Sequence, residues 1–117
     1  MGMYSVKIIY KNEVETGITI FEESVLMIKA DSFDEAFRKA EKYTEEMMEK
    51  EYVNMFGQKV YQSVERFADC FEIIEEDDYT EVYSSYKMNK SPLPQEDYVN
   101  LLTDQCSKEE LMQLRSL

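Results

Sequence analysis

The chain has 117 residues, 44% of them hydrophobic, with nine tyrosines, six phenylalanines, no histidine and 25 Asp and Glu against 13 Lys and Arg, a net charge of -12. That length and apolar content suit one folded domain with a real core, so the acidic excess belongs to its surface rather than to a disordered chain. The balance weighs against direct nucleic-acid binding, which needs a basic surface, and against histidine-based acid–base chemistry.

From Tyr4 the sequence alternates, with Tyr4, Val6, Ile8 and Tyr10 on one face and Ser5, Lys7 and Lys11 on the other, which predicts a half-buried strand. Lys11-Asn12-Glu13 and Thr16-Gly17 read as turn or edge chemistry, and Ile18 to Ala30 as a second extended segment. Within it Leu26, Ile28 and Ala30 share one face and Val25 and Met27 the other, so cover is expected on both.

Ser32-Phe33-Asp34-Glu35 is a capping box, which starts a helix. Phe33, Ala36, Phe37, Ala40, Tyr43, Met47 and Met48 recur at three- and four-residue steps as its apolar stripe, and the helix is expected to run to Glu51 or Tyr52. Gly57 then marks a return to extended structure, and Gln58 to Ile74 reads as a third strand whose two apolar phases require a bulge or bend around Glu65 to Ala68. Glu75-Glu76-Asp77-Asp78 is a solvated turn, since four adjacent carboxylates resist burial. Thr80 to Met88 alternates again and predicts a fourth strand in a hairpin with the third.

Pro92 and Pro94 break the pattern, which divides the chain into a sheet-and-helix domain over 1–88 and a linker with a helical segment over 89–117. Tyr98, Leu101 and Leu102 predict a short helix from Gln95 to Thr103, and a second capping box at Ser107-Lys108-Glu109-Glu110 predicts another through Leu111, Met112, Leu114 and Leu117. The fold class is therefore α+β: a β-β-α-β-β unit forming a four-stranded, mostly antiparallel sheet with one long helix on one face, plus short C-terminal helices. The second sheet face is expected to be covered by those helices or by another copy of the protein, which makes a homodimer one reading.

Tyr4-Ser5-Val6-Lys7, the run from Phe21-Glu22-Glu23-Ser24 through Lys29-Ala30-Asp31-Ser32, and Thr80-Glu81-Val82-Tyr83-Ser84 together carry a resemblance. Over about Tyr4 to Tyr86 the chain resembles a small bacterial domain family of unknown function, of the DUF type, whose members open on a Tyr-Ser-Val-Lys strand and close on a Glu-Val-Tyr-Ser strand. The resemblance implies a bacterial, cytoplasmic protein and supplies no catalytic or ligand residue.

No constellation points to catalysis. Cys70, between Asp69 and Phe71, sits in an acidic and apolar setting that raises a thiol pKa, and it has no metal-like spacing to Cys106. Glycines at positions 2, 17 and 57 cannot build a phosphate loop, and Glu75 to Asp78 lacks the ligand spacing and glycine of a calcium loop. No catalytic, cofactor or metal residue is assigned, and no cofactor is expected.

The acidic residues are concentrated: residues 57–78 carry seven acids and two bases, against four and three in residues 1–30. Glu41, Glu45 and Glu49 with Glu75, Glu76, Asp77 and Asp78 form the candidate interaction surface. The expectation is a non-enzymatic interaction or regulatory protein that engages a basic partner, such as an inhibitor or immunity-type protein. Alternatives are a small-molecule-binding domain or minor enzyme with a pocket between sheet and helix, or a homodimeric accessory protein. No apolar run approaches the ~18 residues that span a bilayer and no leader opens the chain, so a soluble, cytoplasmic location with no membrane partner is expected.

Overall fold

A computed structural model describes residues 1–102 and Glu109. Its elements run β1 (Gly2–Val14), β2 (Thr19–Ala30), α1 (Phe33–Met47), β3 (Glu51–Val53), β4 (Lys59–Ile73) and α2 (Gln95–Leu102). The four strands form one antiparallel sheet in the order β2-β1-β4-β3, with β1 and β4 inside and β2 and β3 at the edges. The chain divides into two units, residues 1–84 and 85–117.

β1 carries the alternation that the sequence predicts. Tyr4, Val6, Ile8 and Tyr10 are buried in a core completed by Ala30, Ala36 and Ala40, with Leu26, Ile28, Phe37, Val64 and Phe67 packed around it. Asn12 is a strand residue, not a turn: it lies buried in β1, and the β1–β2 turn follows at Glu15 to Ile18, where Gly17 takes a φ of 98°. A left-handed φ of this kind suits glycine, which has no Cβ to clash.

α1 starts as the capping box dictates. Ser32 Oγ accepts from the Glu35 amide at 3.1 Å, and Glu35 Oε1 accepts from the Asp31 amide at 3.2 Å. The buried stripe is Ala36, Ala40 and Thr44 at four-residue steps, whereas Phe33, Tyr43 and Met47, expected on it, are exposed. Two alanines bring the helix close to the sheet, and Thr44 satisfies its hydroxyl by donating to the Glu41 carbonyl at 2.8 Å.

The helix ends at Met47, earlier than expected, and Glu51–Val53 pairs with Lys59–Tyr61 as β3. Helix-forming side chains run through this stretch, but the hairpin is fixed by its turn. Asn54 Oδ1 accepts from the amides of Phe56 and Gln58, both at 3.0 Å, and Gly57 takes a φ of 76°.

β4 contains the expected bend as two bulges. Lys7 pairs with Asp69 and Ile8 with Phe67, which leaves Ala68 unopposed; Ile9 pairs with Arg66 and Tyr10 with Val64, which leaves Glu65 unopposed. Each extra residue moves the core-facing set by one position. Cys70 faces the core above the bulges, Phe67 between them and Val64 below them, all packed on the same cluster.

The fourth strand predicted over Thr80 to Met88 is absent, and with it the hairpin from β4. These residues have no regular backbone pairing, and the order is β-β-α-β-β only because β3 supplies the missing strand. Its first part, Thr80 to Ser84, instead lies over the second sheet face as a strap: the Ser5 hydroxyl donates to the Val82 carbonyl, and the Tyr83 ring meets Phe71 edge-on at 6.3 Å between centroids. Tyr83, not Val82, is the inward residue, so the burial phase opposes the one that the alternation suggested. Cover of that face is partial, since Val25 and Met27 stay 48% and 63% exposed.

In the second unit, Asn89 Oδ1 accepts from the Ser91 amide at 3.1 Å, and α2 begins after Pro94, as its helical spacing predicts. Tyr98 donates its hydroxyl to the Met88 carbonyl at 3.1 Å. Cys106 and, apart from Glu109, the second helix expected from Ser107 to Leu117 lie outside the described residues. No helix among the described residues is long and apolar enough to cross a membrane.

Candidate functional site

Three groupings of polar or charged side chains stand out in the first unit. The first is on the second sheet face, where Lys7 on β1 stands opposite Asp69 on β4 and diagonally from Glu23 on β2, close to Tyr83. Lys7 Nζ reaches Glu23 Oε1 at 2.8 Å and lies 5.7 Å from the centre of the Tyr83 ring, while Tyr83 donates its hydroxyl to Asp69 Oδ2 at 2.8 Å. The hydrogen bond to Glu23 holds the Lys7 amine above its ordinary pKa against the opposing effect of burial. A lysine so paired stays protonated and is a structural cation, not a nucleophile.

The second grouping centres on Asn12. Its Oδ1 accepts from Tyr52 Oη at 3.2 Å and Gln62 Nε2 at 3.0 Å, and its Nδ2 donates to the Ile20 carbonyl at 3.4 Å. One side chain thus ties β1 to β2, β3 and β4. Burial, then the charges of Glu22 and Glu49, push the Tyr52 phenol up.

The third grouping is the acidic loop after β4. Glu75, Glu76, Asp77 and Asp78 are all exposed, with Ile74 71% and Tyr79 88% exposed beside them. An open depression of about 450 Å³ is bounded by Glu76, Asp77, Asp78 and Tyr79, and a neighbouring one of about 390 Å³ by residues that include Phe71, Glu72, Ile74 and Glu81. The loop is held by Thr80, whose Oγ1 accepts from the Glu76 amide at 3.2 Å. Among the described residues no group of three or more side chains converges as metal ligands.

The seven acidic residues singled out in the sequence fall into two sets. Glu41 and Glu45 are exposed on α1 and Glu49 follows its end, where its charge acts on Tyr52 at the Asn12 end of the sheet. Glu75 to Asp78 follow Ile73, the partner of Met3 at the other end. Met3 to Asn12 spans ~30 Å of strand, so these are two patches and not one continuous face. The Lys7 and Asn12 groupings were missed in the sequence, because register, which sequence alone does not give, brings their members together.

Cys70 behaves as its neighbours predict: burial, then the Asp69 carboxylate, pushes its thiol up, against a smaller opposing effect of the Phe71 backbone. Between sheet and helix the space is filled by buried Tyr4, Val6, Ile8, Tyr10, Ala36 and Ala40.

This small antiparallel sheet with one covering helix, closed by a strap over the opposite face, defines an α+β domain whose polar groupings hold structure and whose exposed loop is acidic. The chain belongs to the family described as a domain of unknown function, DUF4288, whose model matches residues 3–84. The match ends at Ser84, just past Tyr83, so the strap falls within the family domain. No curated protein and no solved structure matches the chain.

Proposed function

We propose that the protein is a non-enzymatic interaction module that takes a basic partner on the loop between Ile74 and Glu81. The observation that carries this reading is the pairing of four adjacent exposed carboxylates with two exposed apolar side chains, Ile74 and Tyr79. None of Glu75, Glu76, Asp77 or Asp78 makes an ion pair with a described residue, so their charge is directed to solvent. Carboxylates steer a cationic surface towards the loop and select against acidic ones, while a tyrosine and an isoleucine supply area that can be desolvated on contact. An inhibitor or immunity-type role in a cytoplasmic setting would use such a surface, with α1 carrying a second patch at Glu41, Glu45 and Glu49. The filled space between sheet and helix favours this reading over a small-molecule pocket there.

The test is a titration of isotope-labelled protein with a lysine- and arginine-rich peptide. Resonances of residues 74–81 are expected to shift, and the quadruple variant E75K/E76K/D77K/D78K to abolish the effect. Binding that persists in that variant, or that maps away from the loop, would overturn the reading.

A further inference from the structure

β2 is an edge strand of 12 residues whose outer side has no strand partner among the described residues. Its backbone phase is fixed: the Val14 amide donates to the Ile18 carbonyl at 2.8 Å, and the β1–β2 register continues from there without a shift. Even-numbered β2 residues therefore bond to β1, and Thr19, Phe21, Glu23, Val25, Met27 and Lys29 turn N–H and C=O outward. The Lys29 carbonyl, which accepts from Lys39 Nζ at 2.6 Å, agrees with this phase. A long edge with no proline and no bulge is a template for another strand.

The side chains of these same residues choose the strand. Phe21, Val25 and Met27 are exposed, and Lys29 makes no ion pair with a described residue, whereas Glu23 is more than half exposed beside Lys7. We infer that a second copy of this chain docks on β2, the two β2 strands pairing antiparallel about a twofold axis at Leu26. In that register Val25 lies opposite Met27 and Glu23 opposite Lys29, each pair occurring twice, with no like charges facing. Moving the axis to Val25 sets Glu23 against Met27, and moving it to Glu23 sets that carboxylate against itself. The Lys29 carbonyl has a second lone pair for the incoming amide of Glu23, so the Lys39 contact can remain. The dimer uses no residue of the acidic loop and stands or falls independently of it.

Sedimentation of the full chain, with amide exchange read at Val25 and Met27, tests the proposal. A concentration-dependent dimer with those outward amides protected is expected. E23K and K29E should each weaken it about tenfold or more, because the twofold counts every reversed pair twice, while an equimolar mixture of the two variants should recover a heterodimer. If E23K unfolds for want of its Lys7 partner, the wild-type exchange pattern still decides. A monomer at about 1 mM, a dimer whose Val25 and Met27 amides exchange freely, or one indifferent to K29E would overturn the proposal.

Discussion

The phenol of Tyr83 hydrogen-bonds Asp69 Oδ2 at 2.8 Å, while Oδ1 of the same carboxylate accepts from the Cys70 amide at 2.8 Å. One side chain on β4 therefore both fastens the strap and fixes its own backbone. Tyr83→Phe leaves a part-buried carboxylate short of a donor and is expected to cost ~1–2 kcal/mol in urea unfolding. Tyr83→Ala, which also removes the ring from Phe71 and Lys7, should cost ~3 kcal/mol.

Asn12 is buried and bonded to three other strands. Asn12→Leu strands the Gln62 amide and the Tyr52 hydroxyl in a half-buried setting, for an expected loss of ~2–3 kcal/mol. Tyr52→Phe should lose only ~1 kcal/mol, since Gln62 still satisfies Asn12. Equilibrium unfolding of both variants checks the order.

Ser32→Ala removes the acceptor for the Glu35 amide and is expected to cost ~1 kcal/mol, and Ser32→Asp should restore most of it. Thermal unfolding followed by circular dichroism reads both.

Burial raises the phenols of Tyr4, Tyr10 and Tyr52, and the thiol of Cys70 is raised by burial and by Asp69. In each case the folded state holds its proton to higher pH than the unfolded state does. The stability they confer is full below the unfolded pKa values and is lost as pH rises through the interval up to the folded ones. Unfolding free energy should therefore decline above about pH 9, where the unfolded thiol and then the phenols ionise. In a C106S background, Cys70 is expected to alkylate slowly at neutral pH and faster in D69N.

Much of this fold was legible in the residues. The β1 alternation, the Ser32 capping box and the two-phase pattern of β4 each follow from a local rule that tertiary packing obeys. The failures have a common cause. Thr80 to Met88 alternates as a strand does, but Tyr83 is captured by Asp69 and Phe71 on the sheet face and the Val82 carbonyl by the Ser5 hydroxyl, so Thr80 to Ser84 is held through side-chain contacts and forms no backbone ladder. Glu51 to Val53 carries helix-forming neighbours, and only the turn at Asn54 with its partner β4 makes it extended. The acidic residues were visible as a count along the chain, yet their division between the two ends of the sheet depends on strand register.

The two bulges on β4 have a bearing on how this family can vary. Deleting Ala68 alone would join Phe67 to Asp69, and deleting Glu65 alone would join Val64 to Arg66; either way the residues around the lost bulge alternate one for one against β1, so Cys70, Phe67 and Val64 keep facing the core and only the local bend is lost. Losing both together would give a straighter strand with the same residues inward. Single-residue gaps in alignments of relatives should therefore fall at the bulges, whereas a gap in the regularly paired stretch from Val60 to Ser63 would turn the end of the strand over and mark a chain whose core has been rebuilt.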